Sequence, residues 1–348
     1  MKTVLIAAAQ APFIVGGAEI LVSELRTHLE RRGFRVDVAA VPFKWYPVSE
    51  IVRQALAWRL LDLTESNGVP VDLLLVTKFP TYLARHPRKV AWLFHQHREA
   101  YDLFGTPFCS FTDSPEDTQV RQAIQAMDTS ALSECRDVFT ISRNVADRLQ
   151  RYNGLAGTPL YPPPHHLGRY RCESFDGYLF YAGRLDRLKR LELALDAMKR
   201  VRSGARLKIA GQGPLEPELR KRIEGLGLGD RVELLGYVSA DELVELYARC
   251  RAALYTPLNE DYGYVTVEAF LSGKPVITTT DAGGPLEFVS PDVTGVVAAP
   301  DADALAESID RLWEWPEGRL RDMGAQGRAR VAGITWDGVI DRLTESLR

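Results

Sequence analysis

The sequence is poor in cysteine and histidine and has no surplus of either charge. Its four cysteines, at 109, 135, 172 and 250, form no Cys-x-x-Cys pair and no cluster with histidine. That excludes a disulfide framework or a Cys/His zinc site and fits buried thiols in a reducing compartment. Lys and Arg number 43 against 46 Asp and Glu, a net charge of -3, so nothing in the total points to nucleic acid. No apolar run approaches the ~20 residues of a membrane span. Met1 to Ala9 has the charged-then-apolar look of a leader peptide, but Gln10 and Pro12 break the run. Residues 4–8 therefore read as a buried first strand, and the chain as cytoplasmic. No Gly-x-Gly-x-x-Gly follows that strand, which disfavours a nicotinamide site.

What is present is a long, ordinary globular chain. At 348 residues, 46% hydrophobic and 26% charged, it predicts two domains. Residues 1–172 carry a charge balance of +3 and residues 173–348 one of -6. Between them residues 154–170, with Pro159 and Tyr161-Pro162-Pro163-Pro164, read as a stiff connector, since three prolines fit neither helix nor central strand. The expected division is 1–160, 161–334 and a terminal helix over 335–348 that returns to the first domain. Both halves alternate short apolar strands with amphipathic helices. That pattern specifies parallel sheets covered on both faces, an α/β class of two Rossmann-like, doubly wound domains facing across a cleft. Ligands of such sheets bind at the carboxyl ends of the strands.

Three motifs fall at those ends. Gly16-Gly17-Ala18-Glu19 joins strand one to its helix, where bare backbone and helix amides suit an oxyanion, though a tight turn alone would also use glycine. Gly183-Arg184-Leu185 with Lys189 places a guanidinium and an ammonium near a helix start. Cations are misplaced there unless an anion balances them, so a diphosphate is the favoured partner. Glu260 and Glu268 lie eight residues apart. A continuous helix would separate them by about 12 Å, beyond the ~5–9.5 Å of a glycosidase pair. Glu260 is instead expected in a loop, residues 263–266 at a helix start and Glu268 one turn in.

These motifs, with Gly211-Gln212-Gly213-Pro214, Leu235-Gly236-Tyr237-Val238 and Ser272-Gly273-Lys274-Pro275, occur in an order that resembles the donor domain of retaining nucleotide-sugar glycosyltransferases of family 4, with the GT-B fold. The Glu-x7-Glu pair is that family's signature. The likeness is strong over residues 178–297 and weaker before, where it rests on the Gly16 motif, His95 and Ile141-Ser142-Arg143. It implies that Arg184 and Lys189 neutralise the leaving diphosphate, Glu268 holds ribose hydroxyls and Glu260 contacts the transferred sugar. The amides of Gly263, Tyr264 and Val265 would bind phosphate or sugar oxygens. Gly213 and the backbone of Tyr237 and Val238 would line the base pocket, and Gly16 and Gly17 would face the diphosphate. His95 matches the family's active-site histidine, with His97 as an alternative two places on.

The implied reaction moves a sugar, with retention, from GDP-mannose or a UDP-sugar to a hydroxyl of a saccharide, lipid-linked or small-molecule acceptor. No metal or cofactor is implied, and no Asp-x-Asp pair accompanies the motifs. The alternatives are a catalytically silent nucleotide-sugar-binding protein and a phosphorylase or epimerase of the same fold. Trp92, Phe94, Tyr101, Phe104, Phe108 and Phe111 admit a stacking platform for the acceptor, with Trp92 and Phe94 the first candidates for the core. Arg53 and Arg59 on the helix expected near residues 49–65 admit a weak peripheral contact at the inner membrane face, although packing on the sheet is favoured.

Overall fold

The computed structural model describes residues 1–13 and 16–347. It comprises two compact units, Met1–His165 with Ile334–Arg348, and His166–Gly333. The first holds six parallel strands, β1 (Thr3–Gln10), β2 (Arg35–Pro42), β3 (Leu73–Val76), β4 (Lys89–Leu93), β5 (Asp137–Thr140) and β6 (Thr158–Pro159). Their spatial order is β2-β1-β3-β4-β5-β6. Every residue of β3 and β4 is buried, as a parallel sheet covered on both faces requires. The covering helices are α1 (Gly17–Arg31), α2 (Ile51–Leu60), α3 (Pro115–Ser133) and α4 (Arg143–Asn153). Local chemistry sets their ends. The Ser114 and Ser142 hydroxyls accept from the amides of Asp117 and Val145, and Gly154 closes α4 at φ 65°, a left-handed cap that glycine adopts without strain.

The terminal helix Trp336–Leu343 packs in this unit. Its Trp336 stacks on His28 at 4.6 Å, and Asp337 and Asp341 pair with Arg32 at 3.1 and 2.6 Å.

One expectation needs correction here. The connector is not irregular from residue 154. Thr158–Pro159 joins the sheet as an edge strand beside β5, where proline is tolerated, and the Leu160 carbonyl accepts the Trp92 indole N–H at 2.9 Å. Four of the six aromatics at and after β4 belong to the core, as favoured for Trp92 and Phe94. Trp92, Phe94, Tyr101 and Phe111 are buried, and Arg121 covers the half-buried Phe104 at 3.8 Å from its centroid.

The second unit holds β7 (Tyr178–Ala182), β8 (Arg206–Ala210), β9 (Val232–Gly236), β10 (Ala252–Leu254), β11 (Val276–Thr279) and β12 (Gly295–Ala298), ordered β9-β8-β7-β10-β11-β12 and parallel throughout. This is the Rossmann order, which reverses between β7 and β10 and opens a crevice beyond their carboxyl ends. Helices α5 (Leu191–Arg200), α6 (Glu216–Leu226), α7 (Ala240–Arg249) and α8 (Tyr264–Leu271) follow β7 to β10 in turn, and α9 (Ala302–Trp313) follows β12. The chain does contain one Asp-x-Asp, Asp301-Ala302-Asp303, and its place is structural: the Asp301 carboxylate caps α9, accepting the amides of Asp303 and Ala304. No helix among the described residues is long and apolar enough to cross a membrane.

Asp128 of α3 is fully buried and accepts the Tyr101 hydroxyl at 2.7 Å. Burial pushes its carboxyl up to about 7, against the pull of the Tyr101 and Tyr82 hydroxyls. The native state thus holds a proton that the unfolded chain releases near 3.8. Stability from this group is complete below that value and is lost as pH rises through about 7. Asp128→Asn removes the dependence. In thermal melts, its melting temperature relative to the parent chain should rise between pH 4 and 8, and parallel profiles would contradict this titration.

Candidate active site

In the second unit the site is built on bare backbone. Gly183 follows β7 at φ 153°, and Gly211 follows β8 at φ 137°. The Gly183 amide donates to Ala210 O at 2.9 Å, the Leu185 amide to Gln212 O at 3.0 Å and the Gly211 amide to Gly236 O at 2.7 Å. A Cβ on Gly211 would lie 1.8 Å from Gly183 O, and one on Gly213 2.3 Å from Leu185 O. Glycine is therefore dictated by the contact between the loops after β7 and β8, and this contact sets where Arg184 emerges.

Arg184 is exposed and makes no side-chain hydrogen bond or ion pair among the described residues. Lys189 ends a short 3-10 turn capped by Asp186 and pairs with Glu260 from the loop after β10. Burial works against the ammonium, but the Glu260 and Asp186 carboxylates outweigh it and hold its pKa above the ordinary lysine value. Glu260 is fixed through its backbone: its amide donates to Ala282 O and its carbonyl accepts the Gly284 amide, both at 2.8 Å. The buried Tyr255 hydroxyl also bonds its side chain.

The residue that joins these loops is Arg190, which sequence reasoning missed. It sits at φ 48° and donates to Thr256 O (2.9 Å), Pro257 O (2.8 Å), Thr279 Oγ1 (2.9 Å) and both oxygens of Asp281 (2.7 and 2.6 Å). One planar guanidinium thus ties the chain beside Lys189 to the ends of β10 and β11. No sequence signal distinguishes it from Arg187 three places earlier.

Gly263, at φ 86°, begins α8 without a side-chain cap, so Tyr264 and Val265 open the helix as expected. A Cβ on Gly263 would meet Pro285 Cγ at 2.9 Å and Tyr255 at 3.0 Å. Glu268 lies one turn in and accepts the Tyr247 hydroxyl of α7 at 2.8 Å. Burial and the nearby Glu268 carboxylate push the Tyr170 hydroxyl well above its ordinary value. Beyond β9, Tyr237 is 78% exposed and Val238 half-buried. Arg184, Lys189, Gly213, Tyr237, Val238, Glu260, Gly263, Tyr264, Val265 and Glu268 therefore all follow the carboxyl ends of β7, β8, β9 and β10.

In the first unit, Gly16 and Gly17 stand at the start of α1, after β1. The Gly16 amide donates to Glu19 Oε2 at 2.9 Å, and Lys78, just after β3, donates to Glu19 Oε1 at 2.9 Å. Burial would raise the Glu19 carboxyl, but Lys78 and the Gly16 amide hold it below its ordinary value. A cavity of about 150 Å³ beside this pair is lined by Gln10, Thr77 and Lys78 among others. It lies where the strand order reverses between β1 and β3. Glu19 and Lys78 are partners that only the fold reveals. His95 follows β4, half-buried, with Nδ1 2.8 Å from Gln96 O. His97 differs. Its Nε2 is buried without a hydrogen-bond partner, its ring lies between Phe79 (5.5 Å) and Phe111 (5.8 Å), and burial with the nearby His95 lowers its pKa to about 4.

Comparison with known proteins agrees with this layout. Residues 173–330 match the family model "Glycosyl transferases group 1". Across 90% of both chains, the sequence is 23% identical to an uncharacterized glycosyltransferase of Methanocaldococcus jannaschii. Over 167 residues it is 35% identical to the GDP-mannose-dependent alpha-(1-6)-phosphatidylinositol monomannoside mannosyltransferase of Mycobacterium tuberculosis, covering 45% of this chain and 43% of that one. The fold superposes on sucrose-phosphate synthase from Thermosynechococcus elongatus with a TM-score of 0.79 at 19% identity, over 100% of this chain and 99% of that one. The chain has the GT-B fold, and its second unit carries the match to the glycosyl transferases group 1 family.

Arg190→Ala should destabilise the second unit by about 2–4 kcal/mol, because Asp281 is left half-buried without its partner. Arg190→Lys should rescue little, since an ammonium cannot span these acceptors. Denaturant titration checks both, and an unchanged midpoint in the alanine variant would contradict the clamp.

Proposed function

We propose that the protein transfers a hexose, with retention of configuration and without a metal, from a nucleotide-diphosphate sugar to a hydroxyl of a saccharide, lipid-linked or small-molecule acceptor. The observation that carries this is the Lys189–Glu260 pair standing beside the exposed Arg184 at the reversal of strand order. Two cations and a carboxylate are held on rigid loops where an α/β sheet binds its ligand. The two cations suit a diphosphate and the carboxylate suits sugar hydroxyls. GDP-mannose is one donor of choice, given the mannosyltransferase relative, and UDP-sugars are the other.

Arg184 and Lys189 take the negative charge that grows on the departing diphosphate, and this electrostatic stabilisation is the main catalytic contribution. Lys189 is already charged and fixed by Glu260, so little reorganisation is needed when the phosphates arrive. Glu260 itself accepts from hydroxyls of the transferred sugar. Glu268, steadied by Tyr247, accepts from the ribose hydroxyls. The amides of Gly263, Tyr264 and Val265 face phosphate or sugar oxygens, while Gly213, Tyr237 and Val238 line the base. From the first unit, Gly16 and Gly17 address the diphosphate and His95 the sugar. The acceptor oxygen bonds to the anomeric carbon on the face from which the phosphate oxygen leaves. The acceptor's proton passes to that phosphate oxygen, so no protein nucleophile is required. The cations and amides do for the leaving group what a divalent ion would do.

A weak contact with an anionic membrane surface through the first unit is part of the same reading. Trp45, Tyr46, Leu56 and Leu60 are exposed, Leu60 to 86%, and the Arg53 side chain is 82% exposed. Arg59 is excluded from that role, being held by Glu134 and the Leu83 carbonyl. Sedimentation with phosphatidylglycerol vesicles should fall in Leu56→Ser/Leu60→Ser, and equal binding by both proteins would remove the contact.

The transfer is tested with GDP-mannose, UDP-glucose and UDP-N-acetylglucosamine against simple glycoside acceptors. The anomeric signals of the product are read by NMR, in the presence of EDTA. An α-linked product from an α-linked donor, formed at an unchanged rate under chelation, is expected. Arg184→Ala and Lys189→Ala should each lower turnover by about a hundredfold or more; Arg184→Ala should melt normally, and Lys189→Ala should melt lower because Glu260 loses its ammonium partner. Turnover lost to EDTA and restored by Mg²⁺ would overturn metal independence, and nucleotide binding without any turnover would return a catalytically silent sugar-nucleotide binder.

A further inference from the structure

Behind His95 lies a buried polar chain with no part in the roles above. Gln96 is fully buried, and its Nε2 donates to Asn153 Oδ1 at 2.5 Å. Asn153, the last residue of α4, donates through Nδ2 to Thr129 Oγ1 of α3 at 2.7 Å. The Tyr101 hydroxyl, bonded to Asp128, lies 3.5 Å from the same Nδ2. Burying such groups is costly unless each is satisfied, and an apolar filling would serve the core as well or better. Gln96 Oε1 has no hydrogen-bond partner among the described residues. Maximal stability is therefore not the reason for this cluster.

The geometry of the loop supplies another reason. Gln96 is anchored by its side chain to α4 and, through Asn153, to α3, and this fixes its peptide group. The carbonyl of that peptide meets His95 Nδ1 at 2.8 Å. A carbonyl only accepts, so Nδ1 carries the hydrogen, and in the neutral ring Nε2 is the acceptor. Phosphate oxygens also accept, and they would be repelled by that atom. A sugar hydroxyl donates and would be bound.

We propose that Gln96 and Asn153 are positioning residues that lock His95 as the Nδ1–H tautomer, so that Nε2 accepts a hydrogen bond from a hydroxyl of the transferred sugar rather than addressing the diphosphate. This rests on the placement of His95 beside the donor sugar. The lock itself stands on the Gln96 carbonyl and the Asn153 anchor alone.

The test reads the tautomer directly. Long-range ¹H–¹⁵N correlation at pH 8 resolves the ring nitrogens of the six histidines, and His95 is assigned by its loss in His95→Ala. The parent chain should show His95 with a protonated Nδ1 and a bare Nε2. A protonated Nε2 overturns the lock, whatever any variant does. Asn153→Leu, which keeps the volume but not the anchor, should give a mixture of tautomers. Its kcat should fall about tenfold to a hundredfold, with KM for the donor within about twofold. Asn153→Leu that folds, keeps a single tautomer and keeps its kcat also overturns the proposal. Should Asn153→Leu fail to fold, Gln96→Glu carries the same readout. Near-parental turnover in His95→Ala is a separate outcome. It would remove His95 from the sugar, and with it the acceptor role of Nε2, while the tautomer measurement still decides the lock.

Discussion

The candidate site of the second unit depends on one guanidinium. Arg190 donates to two backbone carbonyls after β10 and to Thr279 and Asp281 at the end of β11, while its own chain carries Lys189 one residue earlier. Without it, the loop bearing Lys189 and the loop bearing Glu260 would keep the Lys189–Glu260 ion pair and the backbone hydrogen bond from the Leu258 amide to Leu188 O at 2.8 Å, but would lose their anchor on the end of β11. Five hydrogen bonds on a planar fork fix a geometry that a flexible ammonium could not. The strained φ of Arg190, 48°, is the cost of aiming the fork inward, offset by those bonds. The glycine contacts between the loops after β7 and β8 do the corresponding work for Arg184, by excluding any side chain from the place where two backbones touch.

Fixed loops place positive charge at the strand ends of a half of the chain whose balance is -6. Lys189 is held charged by carboxylates despite its burial, so its field is in place before any ligand arrives. Preorganisation of this kind is worth more than charge alone, since nothing must be reoriented while the bond breaks. The same economy appears in the first unit. There Glu19 ties the Gly16 amide to Lys78 and keeps the turn of α1 in one shape. At His95 it reappears as a buried amide chain that sets a tautomer.

Much of this was legible in the chain. Continuous apolar strands gave the parallel sheets because a sheet covered on both faces has no polar side. The Glu-x7-Glu spacing, read as loop then helix, placed Glu260 before α8 and Glu268 one turn inside it, as found. The reading failed where contacts are distant. Thr158–Pro159 looked like linker because proline argues against strands, yet an edge position tolerates it. The aromatics at and after β4 admitted either a platform or a place in the core, because composition cannot tell an inward from an outward ring, and four of the six are buried. Asp301-Ala302-Asp303 passed unnoticed because a helix cap and a metal motif can share the same letters.

By itself, the sequence determined the class of fold, the order of its elements and which short motifs stand at strand ends. All three follow from periodicity and from the few backbone shapes open to glycine and proline, which are local properties. Only the tertiary structure decided which side chains hold those motifs in place. Arg190 and Asp281 lie 91 residues apart, Lys78 and Glu19 lie 59 apart, and Gln96 and Asn153 lie 57 apart. Partners that distant are chosen by how the strands are ordered in the sheet, and no local pattern in the chain encodes that choice.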